Sequence, residues 1–358
     1  MVEVMVIGAT GVVGQQFLVA LADHPWFHVA KLVASPRSAG KRYVDAIRDR
    51  ATGSIRWYCD EPLPERFREM VVESFREELL DDVDLVFTAV ESDVAREIEP
   101  RIAEKKPVIS TASAFRYDED VPLIIPGVNH DHAPLIERQR RNRGWKGFIA
   151  PIPNCTTTGL AISLKPIMDA FGLKIVLMTS LQALSGAGRS PGVIGLDILD
   201  NVIPYIPKEE EKVQKETLKI LGKYAGDQVK PARFKVSCTC TRVNVRDGHT
   251  ECVFLSTEKN ATVDEVKNVL RGFRGCSDMG LPSAPRRMIV VHEDPFRPQP
   301  RLDRNTEDGM ATVVGRVRKD PALENGIKYV LLSHNTKMGA AKGAVLLAEL
   351  LYKEGYIC

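Results

Sequence analysis

The sequence predicts an α/β protein of two domains, a parallel sheet with intervening helices followed by an α+β domain. Three observations predict this fold class. The chain has 358 residues, which is long for a single hydrophobic core. Its first part alternates short buried strands with helical segments, the pattern of a doubly wound parallel sheet. From "KIVLMTSLQALSG" onward, longer strands of alternating polarity predict a mainly antiparallel sheet.

The N-terminal elements come in the order that a parallel sheet requires. The segment "EVMVIGATGVVGQQFLVAL" predicts a strand, a glycine turn and a helix, and "HVAKLVAS" predicts a second strand. "VDLVFTAV" and "PVIS" have the composition of short buried strands, and "ESDVAREIEPRIAEKK" between them has helical spacing. We therefore predict that the first domain spans residues 1–153.

The second domain is predicted to mix strands and helices without strict alternation. "FKVSCTCTRVNVRDGHTECVFLSTE" predicts two long strands joined by a turn at "RDGH", and "RRMIVVHE", "MATVVGRVRK" and "IKYVLLSHN" predict further strands. Helices are predicted in "TTTGLAISLKPIMDAF", "EEEKVQKETLKILGKY" and "TVDEVKNVLRGF". We expect this domain to span residues 154–335, and an apolar C-terminal helix within residues 336–358 to pack back on the first domain.

Composition and charge exclude several classes of partner. The net charge of +2 gives no electrostatic basis for binding nucleic acid or a membrane surface. Apolar runs are short, so no membrane-spanning helix is predicted, and "MVEVMVIGATG" lacks the basic region of a signal peptide. The seven scattered cysteines are typical of reduced thiols, so we expect a cytoplasmic protein without a metal site. Cys238 and Cys240 are predicted to pack on one face of a strand.

The motif "GATGVVG" predicts a dinucleotide-binding turn. Gly8, Gly11 and Gly14 follow the first strand and lead into a helix, and their spacing differs by one residue from the G-x-G-x-x-G fingerprint. Glycine permits the tight turn, the close approach of a pyrophosphate and the packing of helix on strand. A glycine turn without a ligand is the alternative. The Rossmann-type interpretation assigns cofactor binding to Gly8, Thr10, Gly11, Val12, Val13 and Gly14.

The end of the second predicted strand distinguishes NADP from NAD. An acidic residue usually binds the ribose hydroxyl groups of NAD at this position. This sequence has Ser35, Arg37 and Ser38 there, with Lys41 nearby. Hydroxyl groups and a guanidinium group suit a phosphate, because arginine forms charge-assisted, often bidentate, bonds to it. We predict NADP as the cofactor, with a solvated basic loop as the alternative.

Cys155, in "PIPNCTTTGLAISL", has a polar setting that is unusual for a free thiol. Asn154 is a good N-cap, so a helix is predicted to begin at Cys155 or just after it. A helix N-terminus favours the thiolate, and its free backbone N–H groups are predicted to hold an oxyanion. His249, in "VNVRDGHTECV", is the predicted proton partner. Spacing does not bring the two side chains together, and a buried structural cysteine is the alternative.

Seven motifs occur in the order found in one enzyme family. They are "GATGVVGQ", "PNCTTTGLAISLKP", "LQALSGAGRSPGV", "LDILDNVIPYIPKEEEKVQKETLKIL", "TRVNVRDGHTE", "RPQPRLDR" and "LLSHNTKMGAAKGAVLLAE". With them the chain resembles the aspartate-β-semialdehyde dehydrogenases of the archaeal and fungal branch, nearly from end to end. The resemblance implies a second domain of the glyceraldehyde-phosphate-dehydrogenase-like type that serves catalysis and dimerisation.

The resemblance also implies an activity. It is the reversible, NADP-dependent reductive dephosphorylation of L-aspartyl 4-phosphate to L-aspartate 4-semialdehyde, in the biosynthesis of lysine, threonine and methionine. By the match of "PNCT", Cys155 is implied to attack the acyl phosphate and form a thioacyl enzyme. His249 matches the general acid/base of the family, and Gln182 matches the residue that orients the acyl group.

Three residues of the second domain match the family's substrate-binding groups. Arg242 matches the arginine that binds the α-carboxylate, for which bidentate geometry is suitable. Glu209 matches the residue that binds the substrate ammonium group, and Lys212 matches a lysine that assists with phosphate. The two lie on one face of a predicted helix. A solvated helix face is the alternative for this "EEEK" run.

Further matches lie elsewhere in the chain. Arg116 matches another phosphate-binding arginine, although its loop, "TASAFR", departs from the family pattern. Asn154 is implied to assist in the same task, and Asn335 in "SHNTKMG" to approach the nicotinamide. Lys342, in "GAAKG", stands where the family usually has a small residue.

Two rival functions share part of this pattern. A malonyl-CoA reductase has the same fold and cysteine chemistry, but its substrate has no ammonium group and so does not require Glu209. A non-catalytic NADP-binding regulatory protein is expected to lose Cys155 or His249, and this sequence keeps both. The resemblance further implies a homodimer or homotetramer in which the second domain supplies the interface.

Overall fold

The computed structural model describes residues 1–187 and 195–358, and these residues form two compact units. The first unit comprises Met1–Ile124, Ala133–Ile152 and Ala340–Cys358, and the second comprises Ile125–His132 and Pro153–Gly339. Residues Ile125–His132 therefore belong to the second unit, although the sequence predicts that residues 1–153 all belong to the first domain. The assignment of cofactor binding to one part of the chain and catalysis to the other stays a prediction.

The strands of the described residues divide between two main sheets and one short ribbon. In chain order they are β1 (Val2–Ile7), β2 (Phe27–Val33), β3 (Val72–Glu73), β4 (Leu85–Thr88), β5 (Pro107–Ser110), β6 (Phe148–Pro151), β7 (Ile175–Gln182), β8 (Val202–Ile203), β9 (Lys223–Tyr224), β10 (Val229–Lys230), β11 (Lys235–Val243), β12 (His249–Ser256), β13 (Ile289–Val291), β14 (Thr312–Lys319) and β15 (Gly326–Ser333).

The α-helices of the described residues are distributed over both units. In chain order they are α1 (Val12–Leu21), α2 (Tyr43–Ala46), α3 (Glu65–Arg68), α4 (Ser92–Ala103), α5 (Leu135–Arg143), α6 (Cys155–Phe171), α7 (Gly195–Ile198), α8 (Glu209–Ile220), α9 (Val263–Gly272), α10 (Pro300–Asp303) and α11 (Ala341–Lys353). Helices α6 to α10 lie in the second unit, and the others lie in the first.

The sheet of the first unit is entirely parallel and has the strand order β3-β2-β1-β4-β5-β6. This is the order of the Rossmann fold, in which the direction of chain progression reverses between β1 and β4. All residues of β4 and β6 are buried, as expected for strands covered on both faces. The predicted doubly wound sheet is therefore confirmed, and ligands of such sheets bind at the carboxyl ends of the strands near that reversal.

The C-terminal helix α11 belongs to the first unit, as the sequence predicts. It packs against α1 and β5, and all but one of the residues from Ala341 to Leu351 are buried. Beside it, His24 Nε2 lies 2.9 Å from Glu349 Oε1, and both side chains are buried. Burial of this apolar helix completes the core of the sheet that the first residues of the chain begin.

The second unit contains a seven-stranded mixed sheet with the order β13-β14-β15-β12-β7-β11-β8. The neighbouring pairs are antiparallel except for β7 with β11 and β13 with β14. Helix α6 packs on this sheet through β12, β14 and β15, and it also contacts α8 and α9. The predicted α+β domain is therefore confirmed, with two parallel pairs that the sequence does not predict.

The two long strands predicted on either side of "RDGH" are confirmed as β11 and β12, but they are not neighbours in the sheet. Strand β7 lies between them, parallel to β11 and antiparallel to β12. The short connection after Val243 can span the roughly 10 Å across one intervening strand, because an extended residue covers about 3.3 Å and strands lie about 4.8 Å apart. The insertion of β7 brings the end of β7 next to His249, the first residue of β12.

A search of the described residues found no helix that is long and apolar enough to span a membrane.

Candidate active site

Helix α6 begins at Cys155, and its N-terminus is held by Asn154. The Oδ1 atom of Asn154 accepts hydrogen bonds from the N–H groups of Thr156 at 2.9 Å and Thr157 at 3.2 Å. The predicted N-cap is therefore confirmed. Capping satisfies backbone donors that have no partner within the helix, which fixes the position of the first helical residue.

Two carboxylates of α8 hold the same asparagine. Glu209 Oε1 accepts from Asn154 Nδ2 at 2.8 Å, and Glu216 Oε2 accepts from the backbone N–H of Asn154 at 2.6 Å. The N–H groups of Asn154, Thr156 and Thr157 thus already have acceptors. The prediction that free N–H groups at this helix end hold an oxyanion is wrong for these three, because side chains of the protein occupy them.

Cys155 and His249 are in contact. The Sγ atom lies 3.2 Å from His249 Nε2, and the imidazole is fully buried. The backbone N–H of Ala183 donates to His249 Nδ1 at 3.0 Å, so the neutral ring carries its proton on Nε2, facing the sulfur. Burial, assisted by the Arg242 charge, lowers the pKa of His249 to about 3. The ring is therefore neutral at physiological pH, and its Nε2–H group is directed at Cys155 Sγ.

Arg242, Gln182 and His249 lie side by side across the sheet. Arg242 on β11 is in register with Gln182 on β7, and the pairing of Thr250 with Leu181 puts His249 beside Gln182. All three side chains are buried. This neighbourhood is a consequence of the insertion of β7, which the sequence does not predict.

The Ala183 peptide connects two members of this row. Its carbonyl oxygen accepts from Arg242 Nη1 at 2.6 Å, while its N–H donates to His249. Burial lowers the pKa of Arg242, and the neighbouring Cys155 and Glu209 oppose that shift. Arginine keeps its charge under such conditions, so the row presents a cation close to the thiol.

Glycines bring the backbone close to these side chains. A Cβ atom at Gly186 would lie 3.1 Å from both Arg242 Nη1 and His249 Cε1. A Cβ atom at Gly339 would lie 2.8 Å from Cys155 Cβ, which is too close for any other residue. Sequence reasoning missed both glycines. Gly186 belongs to "LQALSGAGRSPGV", and residues 188–194, which include the end of that motif, lie outside the described part of the chain.

The other predicted residues of the second unit surround this row or support it. Lys212 Nζ lies 3.8 Å from Glu209 Oε2, and Glu209 is almost fully buried. Asn335 follows β15, where its Oδ1 accepts from the N–H of Gly248 at 2.8 Å and its Nδ2 donates to Ser185 Oγ at 2.8 Å. Asn335 therefore holds the segment that precedes His249, a position that does not test its predicted approach to the nicotinamide.

Arg116 lies in the first unit, after β5. Its side chain is buried, and Nη2 donates to the carbonyl oxygen of Thr111 at 3.0 Å. This bond lies within its own "TASAFR" segment and orients the guanidinium group. The role of Arg116 in phosphate binding stays a prediction.

The glycine turn has the geometry of a dinucleotide site. Gly8 has φ +85°, and a Cβ atom there would lie 2.2 Å from the carbonyl oxygen of Ala89. A Cβ atom at Gly14 would lie 2.1 Å from the oxygen of Gly8. At Gly11 the nearest atom would be 3.4 Å away, so the fold itself does not require glycine there. A bare backbone at the exposed start of α1 therefore leaves room for a phosphate group, and the site fits NADP.

The predicted NADP loop lies beside this turn. The N–H of Gly8 donates to the oxygen of Val33 at 2.8 Å, so the turn and the end of β2 meet at one sheet edge. Ser35, Arg37 and Ser38 follow directly, and the N–H of Ser38 donates to the oxygen of Ser35 at 2.8 Å. Arg37 is exposed, and Lys41 Nζ donates to its carbonyl oxygen at 2.8 Å. An exposed guanidinium group at this edge is available to an anionic ligand.

The buried cysteines outside the site have a packing role. Cys238 and Cys240 point to the same buried face of β11, as predicted. Burial raises the pKa of both thiols, that of Cys240 to about 12, so they stay protonated. A search of the described residues found no group of three or more His, Cys, Asp or Glu side chains that could hold a metal ion.

A Rossmann-type sheet with a glycine turn, joined in one chain to a mixed-sheet unit that carries a cysteine–histidine pair, is typical of dehydrogenases with a cysteine nucleophile, the class that includes the semialdehyde dehydrogenases. Two family models agree with this class. One, described as "Semialdehyde dehydrogenase, NAD binding domain", matches residues 3–135, and the other, "Semialdehyde dehydrogenase, dimerisation domain", matches residues 164–338.

Individual relatives narrow the class. The chain is 48% identical to the aspartate-semialdehyde dehydrogenase of Methanothermobacter thermautotrophicus over 352 residues, which cover 98% of this chain and 99% of the relative. It is 48% identical to the enzyme of the same name from Archaeoglobus fulgidus over 356 residues, 99% of each chain. The crystal structure of aspartate semialdehyde dehydrogenase with NADP from Candida albicans superposes with a TM-score of 0.87 at 40% identity, covering 100% of both chains. The chain belongs to the aspartate-semialdehyde dehydrogenase family.

Proposed function

We propose that this chain catalyses the reversible, NADP-dependent reductive dephosphorylation of L-aspartyl 4-phosphate to L-aspartate 4-semialdehyde. The observation that carries the proposal is the 3.2 Å contact between Cys155 Sγ and His249 Nε2 at the start of α6. A thiol in that position is prepared to attack an acyl carbon, because the helix N-terminus and the Nε2–H group both favour its thiolate. The names of the relatives support the substrate, and the NADP in the Candida albicans structure supports the cofactor.

In the first half of the reaction, Cys155 attacks the 4-carbonyl carbon of L-aspartyl 4-phosphate. A C–S bond forms and the C–O bond to phosphate breaks, which gives a thioacyl enzyme and inorganic phosphate. Gln182, at the end of β7 and beside His249, is suited to orient the acyl group. Two moderate barriers replace one difficult displacement.

In the second half, bound NADPH supplies a hydride to the thioacyl carbon. His249 is suited to donate a hydrogen bond from Nε2–H to the resulting oxyanion, because this group faces the sulfur to which that carbon is attached. Breakage of the C–S bond then releases the aldehyde and returns the thiolate to Cys155. Burial of the imidazole excludes water that would hydrolyse the thioester.

The charges around the thiol complement the substrate. Arg242, buried and next to Gln182, is proposed to bind the α-carboxylate, and Glu209 is proposed to bind the ammonium group. Lys212, Asn154 and Arg116 are proposed to bind the phosphate. Glu209 and Lys212 lie 3.8 Å apart, so binding of an ammonium and a phosphate replaces an ion pair that the protein already contains.

An assay with purified protein tests the proposal. We expect NADPH to form from L-aspartate 4-semialdehyde, NADP and inorganic phosphate, as measured by absorbance at 340 nm. The rate should depend on the phosphate concentration. Cys155→Ala should lower this rate by at least about 10⁴-fold, since the covalent route is lost. Cys358→Ala, which removes an exposed thiol, is the matched control and should leave the rate unchanged.

Other results of the same assay would favour the rivals. If the protein oxidises NADPH with malonyl-CoA and is inactive with the semialdehyde, it is a malonyl-CoA reductase. If it binds NADP but is inactive with both substrates, it is a non-catalytic NADP-binding protein. Retention of half of the activity in Cys155→Ala would contradict the thioacyl route itself.

A homodimer is the proposed assembly, and a homotetramer requires a second interface. Support comes from the family model for residues 164–338, whose description names dimerisation, and from the half-exposed outer face of the seven-stranded sheet. On that face Leu177 is 39% exposed and is paired in register with Phe254. Such apolar surface is typical of an interface between protein chains. A cytoplasmic location stays a prediction.

A further inference from the structure

The carboxylate of Glu216 has no role in the reaction described above, yet it is hydrogen-bonded to the residue that precedes the nucleophile. Its Oε2 accepts from the backbone N–H of Asn154 at 2.6 Å. The side chain is fully buried in the second unit. A charged acceptor on a backbone donor makes a short and strong hydrogen bond, and burial increases its strength.

Helix α8 binds Asn154 at two points. Glu209 and Glu216 are seven residues apart in the sequence, which puts them on the same face of the helix, two turns from each other. Glu209 binds the side-chain amide at 2.8 Å, and Glu216 binds the backbone N–H. The side chain and the main chain of the N-cap are therefore both attached to one rigid element.

This attachment determines where the nucleophile lies. Cys155 follows Asn154 directly, and on its other side Gly339 leaves no room for a further carbon atom against Cys155 Cβ. A shift of the backbone that leads into α6 would displace Sγ from His249 Nε2, which lies 3.2 Å away. The hydrogen bond from Asn154 N–H to Glu216 opposes that shift, because it fixes the peptide between Pro153 and Asn154, one residue before the nucleophile.

We propose that Glu216 is a positioning residue for the nucleophile, which acts through the backbone of Asn154 to hold Cys155 against His249. The inference rests on the proposed function, in which Cys155 is the nucleophile. The hydrogen-bond acceptor of Glu216 performs this role, so an amide oxygen at the same position can replace the carboxylate.

The test compares four variants with the parent protein. Glu216→Leu removes the acceptor, Glu216→Gln keeps an acceptor of the same reach, and Glu216→Asp withdraws it by one methylene group. Glu211→Leu is the matched control, because Glu211 is an exposed glutamate of the same helix. Alkylation of the Cys155 peptide by iodoacetamide is followed by mass spectrometry from pH 5 to pH 9, and kcat and KM are measured in the phosphate-dependent assay. The exposed Cys358 thiol serves as an internal reference.

We expect Glu216→Leu to lower the alkylation rate of Cys155 at pH 7 and kcat by roughly 10- to 100-fold each, because the buried N–H of Asn154 is left without an acceptor. The KM for NADP should stay within about twofold. Glu216→Gln should stay within about threefold of the parent in both rates, and Glu216→Asp should lie between Gln and Leu. Glu211→Leu and the Cys358 reference should not change.

Three results would overturn the inference. The first is a lower melting temperature in Glu216→Leu with unchanged rates in the folded protein, which would mean a structural role only. The second is a loss in Glu216→Gln as large as that in Glu216→Leu, which would mean that the charge and not the acceptor is needed. The third is an unchanged alkylation rate and kcat in Glu216→Asp. This result decides the question if Glu216→Leu does not fold. If the alkylation results are as expected but no protein has dehydrogenase activity, the proposed function fails and the positioning role stands.

Discussion

The protonation of His249 follows from one backbone contact. Because the N–H of Ala183 donates to Nδ1, an added proton on that nitrogen would oppose the donor, and burial already lowers the pKa of His249 to about 3. The pKa of His249 in the folded protein is lower than its ordinary value of about 6.5, so the unfolded chain binds the proton more readily. The free energy of unfolding therefore decreases as the pH falls below about 6.5. Between pH 5 and pH 9 the imidazole is neutral, and its Nε2–H group is a hydrogen-bond donor directed at Cys155 Sγ.

A histidine variant tests this protonation state. We expect His249→Asn to lower kcat by roughly 10²- to 10³-fold, the usual effect of removing a preorganised hydrogen-bond donor from a reacting oxygen. The fall of kcat/KM at low pH should persist in this variant, because we expect it to reflect protonation of the Cys155 thiolate and not of His249. It should move to higher pH, because the thiolate has lost the Nε2–H group as a hydrogen-bond donor. Disappearance of this fall in the variant would show that His249 itself titrates there. His292→Asn is the control, since that histidine bonds Asp303 on another part of the second unit.

Single residues of the site differ in how far the sequence predicts them. Asn154 and Cys155 are predictable, because an N-cap acts within three residues of itself. The contact of Cys155 with His249 joins residues 94 apart, and no local rule gives such a pairing. Glu216 was missed because a buried carboxylate that binds a main-chain group leaves no motif. Its spacing of seven from Glu209 was the available signal.

At the level of elements, local patterns predict where strands and helices lie in the sequence. They predict less well which strands become neighbours in a sheet. Helix α6 begins at Cys155 and α9 follows its capping residue Thr262, within one or two residues of the predicted segments. The place of β7 between β11 and β12 was not predictable, because alternation and a turn sequence describe two strands without describing which strand lies between them. Strand β6 was not predicted at all, since four buried residues that end in proline have no recognisable period.

Two glycines at the start of α1 are expected to respond differently to substitution. Gly11→Ala adds a Cβ atom that meets nothing nearer than 3.4 Å at φ −80°, so the melting temperature should change by less than about 2 °C. If a pyrophosphate occupies this position, the Kd for NADP should rise at least about tenfold. Gly14→Ala should lower the melting temperature by several degrees, because its Cβ atom would lie 2.1 Å from the Gly8 oxygen.

Thermal unfolding and calorimetric titration with NADP distinguish the two effects. The Kd measurement is made below the melting temperature of each variant, with the parent protein as reference. Unchanged affinity in Gly11→Ala would contradict the predicted location of the cofactor. An unchanged melting temperature in Gly14→Ala would contradict the close packing of α1 on the glycine turn.

Considered as a whole, the chain places the residues predicted to bind the cofactor and those predicted to carry out catalysis largely in different units. The glycine turn and the residues after β2 belong to the first, and the cysteine, the histidine and the buried charges around them belong to the second. Composition and strand order predict this division because each sheet must bury its own apolar residues. An assembly of several chains is not predictable in the same way, since an interface uses residues that also suit a solvated face.

The outer face of the seven-stranded sheet provides the test of the assembly. We expect the parent protein to sediment as a dimer at micromolar concentration, and Leu177→Glu to raise the dimer dissociation constant by at least about 100-fold. In a dimer with two-fold symmetry, each substitution occurs once in each subunit and therefore twice in the interface. Each buried carboxylate lacks a hydrogen-bond partner in an apolar interface, which weakens the association. Val94→Glu, on α4 of the first unit and 45% exposed, is the control and should remain dimeric. A parent protein that is monomeric at every concentration, or a Leu177→Glu variant that dimerises as the parent does, would exclude this face as the interface.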